Sequence, residues 1–227
     1  MGRGKDQRGF MGDESTSADE LIRRVGEGDE EALGELFGAH RERLKRLVRL
    51  RLDRRLQRRV DPSDVLQEAY LDLAKKLPAY ASKPSLPFFL WVRLVVVERL
   101  IRIHRTHLDA AARDAGREVS LHRGGEPRAD SASIAAQLLG RVTSASRAAV
   151  RAERRVQLEA TLDAMDPVDR EVIVLRHFEE LSNDEAASVL GLSKAAASKR
   201  YVRAMLKLKV VLANTPGLAD TVDGGAG

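Results

Sequence analysis

The chain contains no cysteine among its 227 residues. Disulfides and thiolate metal centres are therefore excluded. Aromatic residues are scarce at 4%, so any core must be built from Leu, Val and Ala. No long apolar run is present. The most apolar stretch, 86–97, is interrupted by Arg93 and falls short of the ~20 residues that span a bilayer. It predicts a buried helix, and with no apolar signal core near the start the expectation is a soluble, cytoplasmic protein without membrane insertion. Alternating apolar and polar positions, the mark of a half-buried strand, are also missing.

What is present is helical periodicity and segregated charge. The net charge of +5 hides blocks of opposite sign. Residues 13–37 hold nine acidic and two basic side chains, and residues 41–60 hold ten basic and two acidic. Separate partner surfaces are expected from such blocks, the basic ones suited to nucleic acid. The fold class follows as all-α, two helical domains joined by a flexible linker. The expected boundaries are a disordered extension at 1–17, a first domain at 18–108, a linker at 109–150 with one short helix near 134–139, a second domain at 151–213 and a flexible tail at 214–227.

Local signals place the helices. In "DPSDVLQEAYLDLAKKL" Asp61 caps, Pro62 occupies the first helical position and Asp64 favours the positive helix start. Val65, Leu66, Ala69, Tyr70, Leu73 and Leu77 form one apolar stripe, while Gln67, Glu68, Asp72 and Lys75 lie off it. "PAYASKPSLP" is expected to break that helix, and another helix should cover 88–108. Asp166 and Pro167 repeat the capping device.

Near the C-terminus, Ser182 and Glu185 make a capping box, Gly191 suits a left-handed helix end and Ser193 caps again. A short helix, a glycine turn and a second capped helix are the parts of a helix-turn-helix. Along the second helix Ala197, Tyr201, Ala204 and Leu208 share the buried side. Lys194, Ser198, Lys199, Val202 and Arg203 face outward, with Arg200, Lys207 and Lys209 placed for phosphates. Residues 194–210 contain six Lys/Arg and no acidic residue, a bias that an ordinary surface helix of mixed charge does not show. In helix-turn-helix docking the start of the second helix meets base edges in the major groove.

In this order and spacing, "DPSDVLQEAYLDL", "FFLWVRLVVVERLIRIHR" and the helix-turn-helix stretch ending "SKAAASKRYVRAMLKL" resemble the bacterial sigma-70 family, closest to its small extracytoplasmic-function type, which keeps regions two and four. The resemblance implies a transcription initiation factor with no catalytic activity and no cofactor or metal. Its partners would be core RNA polymerase, through the β′ clamp helices and the β flap, promoter DNA, and an anti-sigma factor. It also implies roles for residues. Asp64, Gln67 and Glu68 match the polymerase-docking pattern. Arg99, Arg102, His104 and Arg105 match the half of the long helix that addresses the −10 element, with the loop 81–87 where an extruded base would be held. Lys194, Ser198, Lys199, Arg200, Val202 and Arg203 would read the −35 element. "KAAA" at 194–197 departs from the more varied stretch of many relatives, which bears on base preference. Phe88, Phe89 and Trp91 are expected in the core. The basic block at 41–59 has no assigned family role and would brace DNA or polymerase.

Two other readings compete. A helix-turn-helix regulator could bind operator DNA without joining a polymerase, although no receiver-like α/β half accompanies the motif. An enzyme could use Asp61, Asp64, Glu68 and His104, but capping and docking explain the acidic spacing and no nucleophile–base pair stands out.

Overall fold

The computed structural model describes residues 11–115, 127–140 and 148–213. All its regular elements are helices: α1 (Met11–Gly26), α2 (Glu30–Ala39), α3 (Arg41–Arg51), α4 (Pro62–Ser82), α5 (Phe88–Ala115), α6 (Ser131–Gly140), α7 (Ala148–Asp163), α8 (Pro167–Ile173), which continues into a π-helical turn over Val174–Phe178, α9 (Asn183–Leu190) and α10 (Lys194–Ala213).

The caps form as their side chains dictate. Asp29 accepts from the Glu31 and Ala32 amides at the start of α2. Asp61 accepts from the Ser63 amide ahead of α4, and Asp166 from the amides of Val168 and Asp169 ahead of α8. Both bonds of the Ser182–Glu185 box are present, and Gly191 ends α9 at φ 63°. There an L-residue would be strained. A Ser or Asp cap is worth about 1 kcal/mol to its helix.

α1 to α5 close over a first core in which Leu33, Leu44, Leu47, Leu66, Leu73 and Leu100 are fully enclosed. Phe88, Phe89 and Trp91 join it, as their sequence context implies. "PAYASKPSLP" does break the helix, but in its second half: Pro78 does not stop α4. Proline removes one intrahelical bond and crowds the carbonyl four residues back, but the following turn is pinned by Tyr80, whose ring stacks on Trp91 at 4.1 Å and whose hydroxyl donates to the Leu86 carbonyl. The chain leaves the helix only at Lys83. α5 likewise runs beyond the expected end at 108, to Ala115.

The second core gathers Ile134, Ala135, Leu139, Leu158, Leu162, Phe178, Ala204 and Leu208. Three expectations change here. The short helix expected near 134–139 forms as α6, but its apolar face is built into this core and the Asp130 amide that precedes it donates to the Leu50 carbonyl at 3.1 Å, so this part of the segment is not a free linker. The extension read as disordered is helical from Met11. The two halves are also not separate. Leu50 of α3 lies in the second core, while Leu175, Leu181 and Ala186 lie in the first. The stretches 1–10, 116–126, 141–147 and 214–227, including the tail, lie outside the described residues.

Candidate nucleic-acid interface

α9 and α10 meet through small residues. Ala186, Ala187 and Ala197 are buried, so the two helix backbones approach closely. The Asn183 side-chain amide donates to the Lys194 carbonyl at 3.0 Å and fixes the turn. With Ala197, Ala204 and Leu208 inward and Tyr201 half-buried, the opposite side of α10 faces solvent. Ser198, Lys199, Val202, Arg203, Leu206 and Lys207 line one open groove. Four of those were expected from sequence as base or −35 contacts. Leu206, 58% exposed one turn beyond Val202 at 53%, was missed, although its spacing from Val202 carried the signal.

The arginines of this helix are anchored rather than loose. Arg203 donates to both oxygens of Asp169, from Nε at 2.8 Å and Nη2 at 2.7 Å, and Arg200 donates to Asp169 at 2.8 Å and to Asp166 at 3.2 Å. The Asp169 side chain is 1% exposed and that of Arg203 is 55% exposed. The Arg203 and Arg200 hydrogen bonds hold the Asp169 carboxyl below the usual carboxylate range, outweighing its burial. A planar guanidinium gripped along one edge is pre-oriented. Arg203 therefore leaves the outer part of its fork toward the groove. Lys194 pairs with Asp184, both exposed, and Lys199 is exposed and makes no ion pair among the described residues.

A second charged face lies where α5 crosses α4. Arg99 donates to Asp72 from Nε at 3.0 Å and to Glu68 at 3.1 Å, and Arg102 also reaches Asp72. Burial resists ionisation of Asp72, but the two arginines prevail and its carboxyl is held low. Arg105 is exposed on the same helix. Arg102 is 52% exposed and shares Asp72 with the more enclosed Arg99, so it can turn from the carboxylate to a phosphate and leave Asp72 paired. Asp64, Gln67 and Glu68 are all exposed along α4, and the 55% exposed Leu71 continues their face by one turn. Leu71 was not singled out from sequence.

His104 departs from expectation. It is buried, and its Nε2 accepts the Asp53 backbone N–H at 3.2 Å, so it braces α5 against the loop after α3 and does not join the cationic face. Its place on the helix is right, but the side facing the domain was misjudged. Burial pushes its pKa down, with the Asp53 charge opposing, and burial does the same for His40. Above the ordinary His pKa of about 6.5 both states are neutral. Below it the unfolded chain takes up protons that the folded chain refuses, so stability falls with pH through the window just under 6.5. Urea midpoints measured from pH 7.5 to 5.5 should decline, and His104→Asn should flatten the decline. An unchanged slope would contradict the assignment.

Among the described residues no group of three His, Asp or Glu could hold a metal ion, and no helix is long and apolar enough to cross a membrane.

Comparison with known proteins agrees with this geometry. The family model "Sigma-70, region 4" matches residues 155–208, from the middle of α7 into α10. A solved structure, CnrH in complex with the cytosolic domain of CnrY, aligns at 25% identity and a TM-score of 0.50, covering 87% of this chain and 99% of that one. No curated protein sequence matches significantly. With the capped helix-turn-helix and the all-α build, these findings make residues 155–208 similar to region 4 of the sigma-70 family and the chain as a whole similar in fold to CnrH.

Proposed function

We propose that the chain is a sigma factor of the extracytoplasmic-function type that binds core RNA polymerase through the exposed face of α4, reads a −35 element with α10 and a −10 element with α5, and so directs transcription initiation without chemistry of its own. The observation that carries the proposal is the outer face of α10. It is a groove of Ser, Lys, Val and Arg on a helix with no acidic residue, presented by a capped turn. Base edges are met by Ser198, Lys199, Val202 and Arg203, while Lys194, Arg200 and Lys207 serve phosphates. On α5, Arg99, Arg102 and Arg105 track the backbone of the opened strand. The cost of extruding a base, a few kcal/mol, is offset by such contacts and by a pocket at the loop 81–87. His104 supports this face from behind.

Asp64, Gln67 and Glu68 offer acceptors to basic groups on the polymerase clamp, with Leu71 as the apolar centre of the contact. The β flap would take the second half. CnrH was solved with a second protein bound, which supports an anti-sigma partner for this chain. The cytoplasm, where polymerase and promoter meet, is its proposed location.

Run-off transcription with core polymerase, with and without the protein, tests the reading. Promoter-specific transcripts should appear only on addition. Specific duplex binding by the protein alone, with no transcript, would instead favour an operator-binding regulator. Glu68→Arg should weaken polymerase binding by about tenfold or more, an interfacial charge reversal costing several kcal/mol, with helical content unchanged by circular dichroism. Undiminished affinity would remove α4 from the interface.

A further inference from the structure

The basic block at 41–59 divides in two. Arg43 donates to the Glu179 and Glu180 carbonyls, and Arg46 pairs with the Glu180 carboxylate. Arg51 and Arg93 of α5 each donate to one oxygen of the Glu179 carboxylate, at 2.7 Å. These cations are neutralised inside the chain. Three others are not. Arg54, Arg58 and Arg59 are exposed, and their guanidiniums make no hydrogen bond or ion pair among the described residues. Arg55, between them, is held by Asp53 through side-chain bonds at 3.0 and 2.9 Å.

The connection that carries these arginines, from α3 to α4, is built rigidly. Leu52 and Leu56 are buried in the first core. The Leu56 and Gln57 amides donate to the Asp53 carbonyl, and the Arg59 and Val60 amides to the Leu56 carbonyl. The Gln57 side-chain amide closes back on the Leu52 carbonyl at 3.0 Å. The result is a hydrogen-bonded knuckle with its arginines on fixed backbone. It is also tied to α5, because the Asp53 amide donates to His104 Nε2 at 3.2 Å. His104 lies between Arg102 and Arg105 in the sequence of that helix. The free arginines therefore border the cationic half of α5.

The chemistry of the knuckle selects its ligand. Every cation in it is an arginine, whose planar fork matches the oxygens of a phosphate. Residues 52–60 contain no aromatic side chain. Single-strand sites join cationic grooves to aromatic platforms on which bases stack, and this surface has no such platform. The acidic residue within it, Asp53, is already engaged by Arg55. A rigid row of forks without a base-reading group fits the backbone of paired DNA, where phosphates are met independently of sequence.

We infer that the knuckle 53–59 clamps the phosphates of double-stranded DNA flanking the −10 element, with Arg54, Arg58 and Arg59 as the contacts and His104 as the residue that positions them beside α5. The inference rests on the promoter reading above. α5 then holds the opened strand and the knuckle the adjoining duplex, so the two grip the border between melted and paired DNA.

The test compares polymerase holoenzyme carrying the wild-type chain with holoenzyme carrying the triple variant Arg54→Gln, Arg58→Gln, Arg59→Gln. On a fully paired promoter over a salt series, the variant should lower the slope of log affinity against log salt by about 2–3 units, near 0.9 for each phosphate lost. Arg54→Lys, Arg58→Lys, Arg59→Lys should restore the slope, since a phosphate also accepts a point charge. On a single-stranded oligonucleotide carrying the −10 sequence, the Gln variant should bind as the wild type does, and its affinity for core polymerase should be unchanged. Equal slopes on the paired promoter would overturn the clamp. So would an equal loss on the single strand, which would put the arginines on opened DNA, or weakened binding of core polymerase, which would put them on the enzyme. Absence of promoter-specific transcript with the wild-type chain would sink the promoter reading itself, and the clamp with it.

Discussion

Glu179→Ala is expected to destabilise the protein by about 3–5 kcal/mol, the range for removing one partner of a fully buried ion cluster. The size follows from what stays behind. Arg51 and Arg93 remain enclosed, at 0% and 3% side-chain exposure, with the carboxylate that neutralised both of them gone. Arg51 keeps Glu171 and the Pro127 carbonyl, whereas Arg93 loses its Glu179 bond. Either the halves part so that the guanidiniums reach water, or the docked state bears the cost. Urea unfolding followed by circular dichroism should then show a lower midpoint, and a second, earlier transition if the halves separate. Replacing Arg51, Arg93 and Glu179 together with Met, Met and Leu should recover much of the loss, because apolar groups of similar volume need no neutralisation. A loss under 1 kcal/mol for Glu179→Ala would show that the cluster carries little of the docking.

The same carboxylate predicts acid sensitivity. Burial opposes the Glu179 charge, but Arg51 and Arg93 outweigh it and leave the group with a lowered pKa. A depressed folded pKa gives stability that is complete above the unfolded value near 4.3 and is lost as pH falls below it. Asp72 and Asp169, also held low by arginines, act in the same direction.

These contacts also mark where reading from sequence stops. Asp61, Asp166, Ser182 with Glu185, and Gly191 were legible because each acts on backbone within three residues of itself. The apolar stripe of α4 and the inward face of α10 were legible because period decides them. Glu179 and Arg51 are 128 residues apart, and Glu179 and Arg93 are 86 apart. No local rule pairs such positions, so Arg43, Arg46 and Arg51, three members of a block read as a partner surface, turn out to bind the chain's own second half. His104 and Pro78 show the same limit at shorter range. One helix position leaves the side of a histidine open when apolar and basic residues alternate, and Pro78 is carried inside α4 where the turn beyond it is anchored by the distant Trp91 and Leu86. α6 was half legible: its periodicity at 134–139 was visible, but the Ala- and Ser-rich surroundings hid that it packs.

The candidate DNA face divides into a free cation and an anchored one, and that division gives the last prediction. Lys199→Ala and Arg203→Ala should each weaken −35-dependent binding by about 1–3 kcal/mol, with the salt slope lowered by about one unit where a phosphate contact is lost. They should differ in everything else. Lys199 touches no carboxylate among the described residues, so its removal leaves folding stability within about 0.5 kcal/mol of the original. Arg203 supplies two of the three hydrogen bonds that Asp169 receives from the arginines of α10. Its loss leaves a 1% exposed carboxylate held from α10 by Arg200 alone, which should cost about 1–3 kcal/mol of stability as well. Arg203→Lys is the informative control, since it keeps the charge but not the two-pronged grip. It should retain the salt slope and still lose affinity, because the cation is no longer aimed. Binding isotherms on a −35 duplex over a salt series, alongside urea midpoints for all three variants, separate these effects. If Arg203→Lys matches the wild type in both affinity and stability, Asp169 does not position the arginine and the groove reads DNA by charge alone.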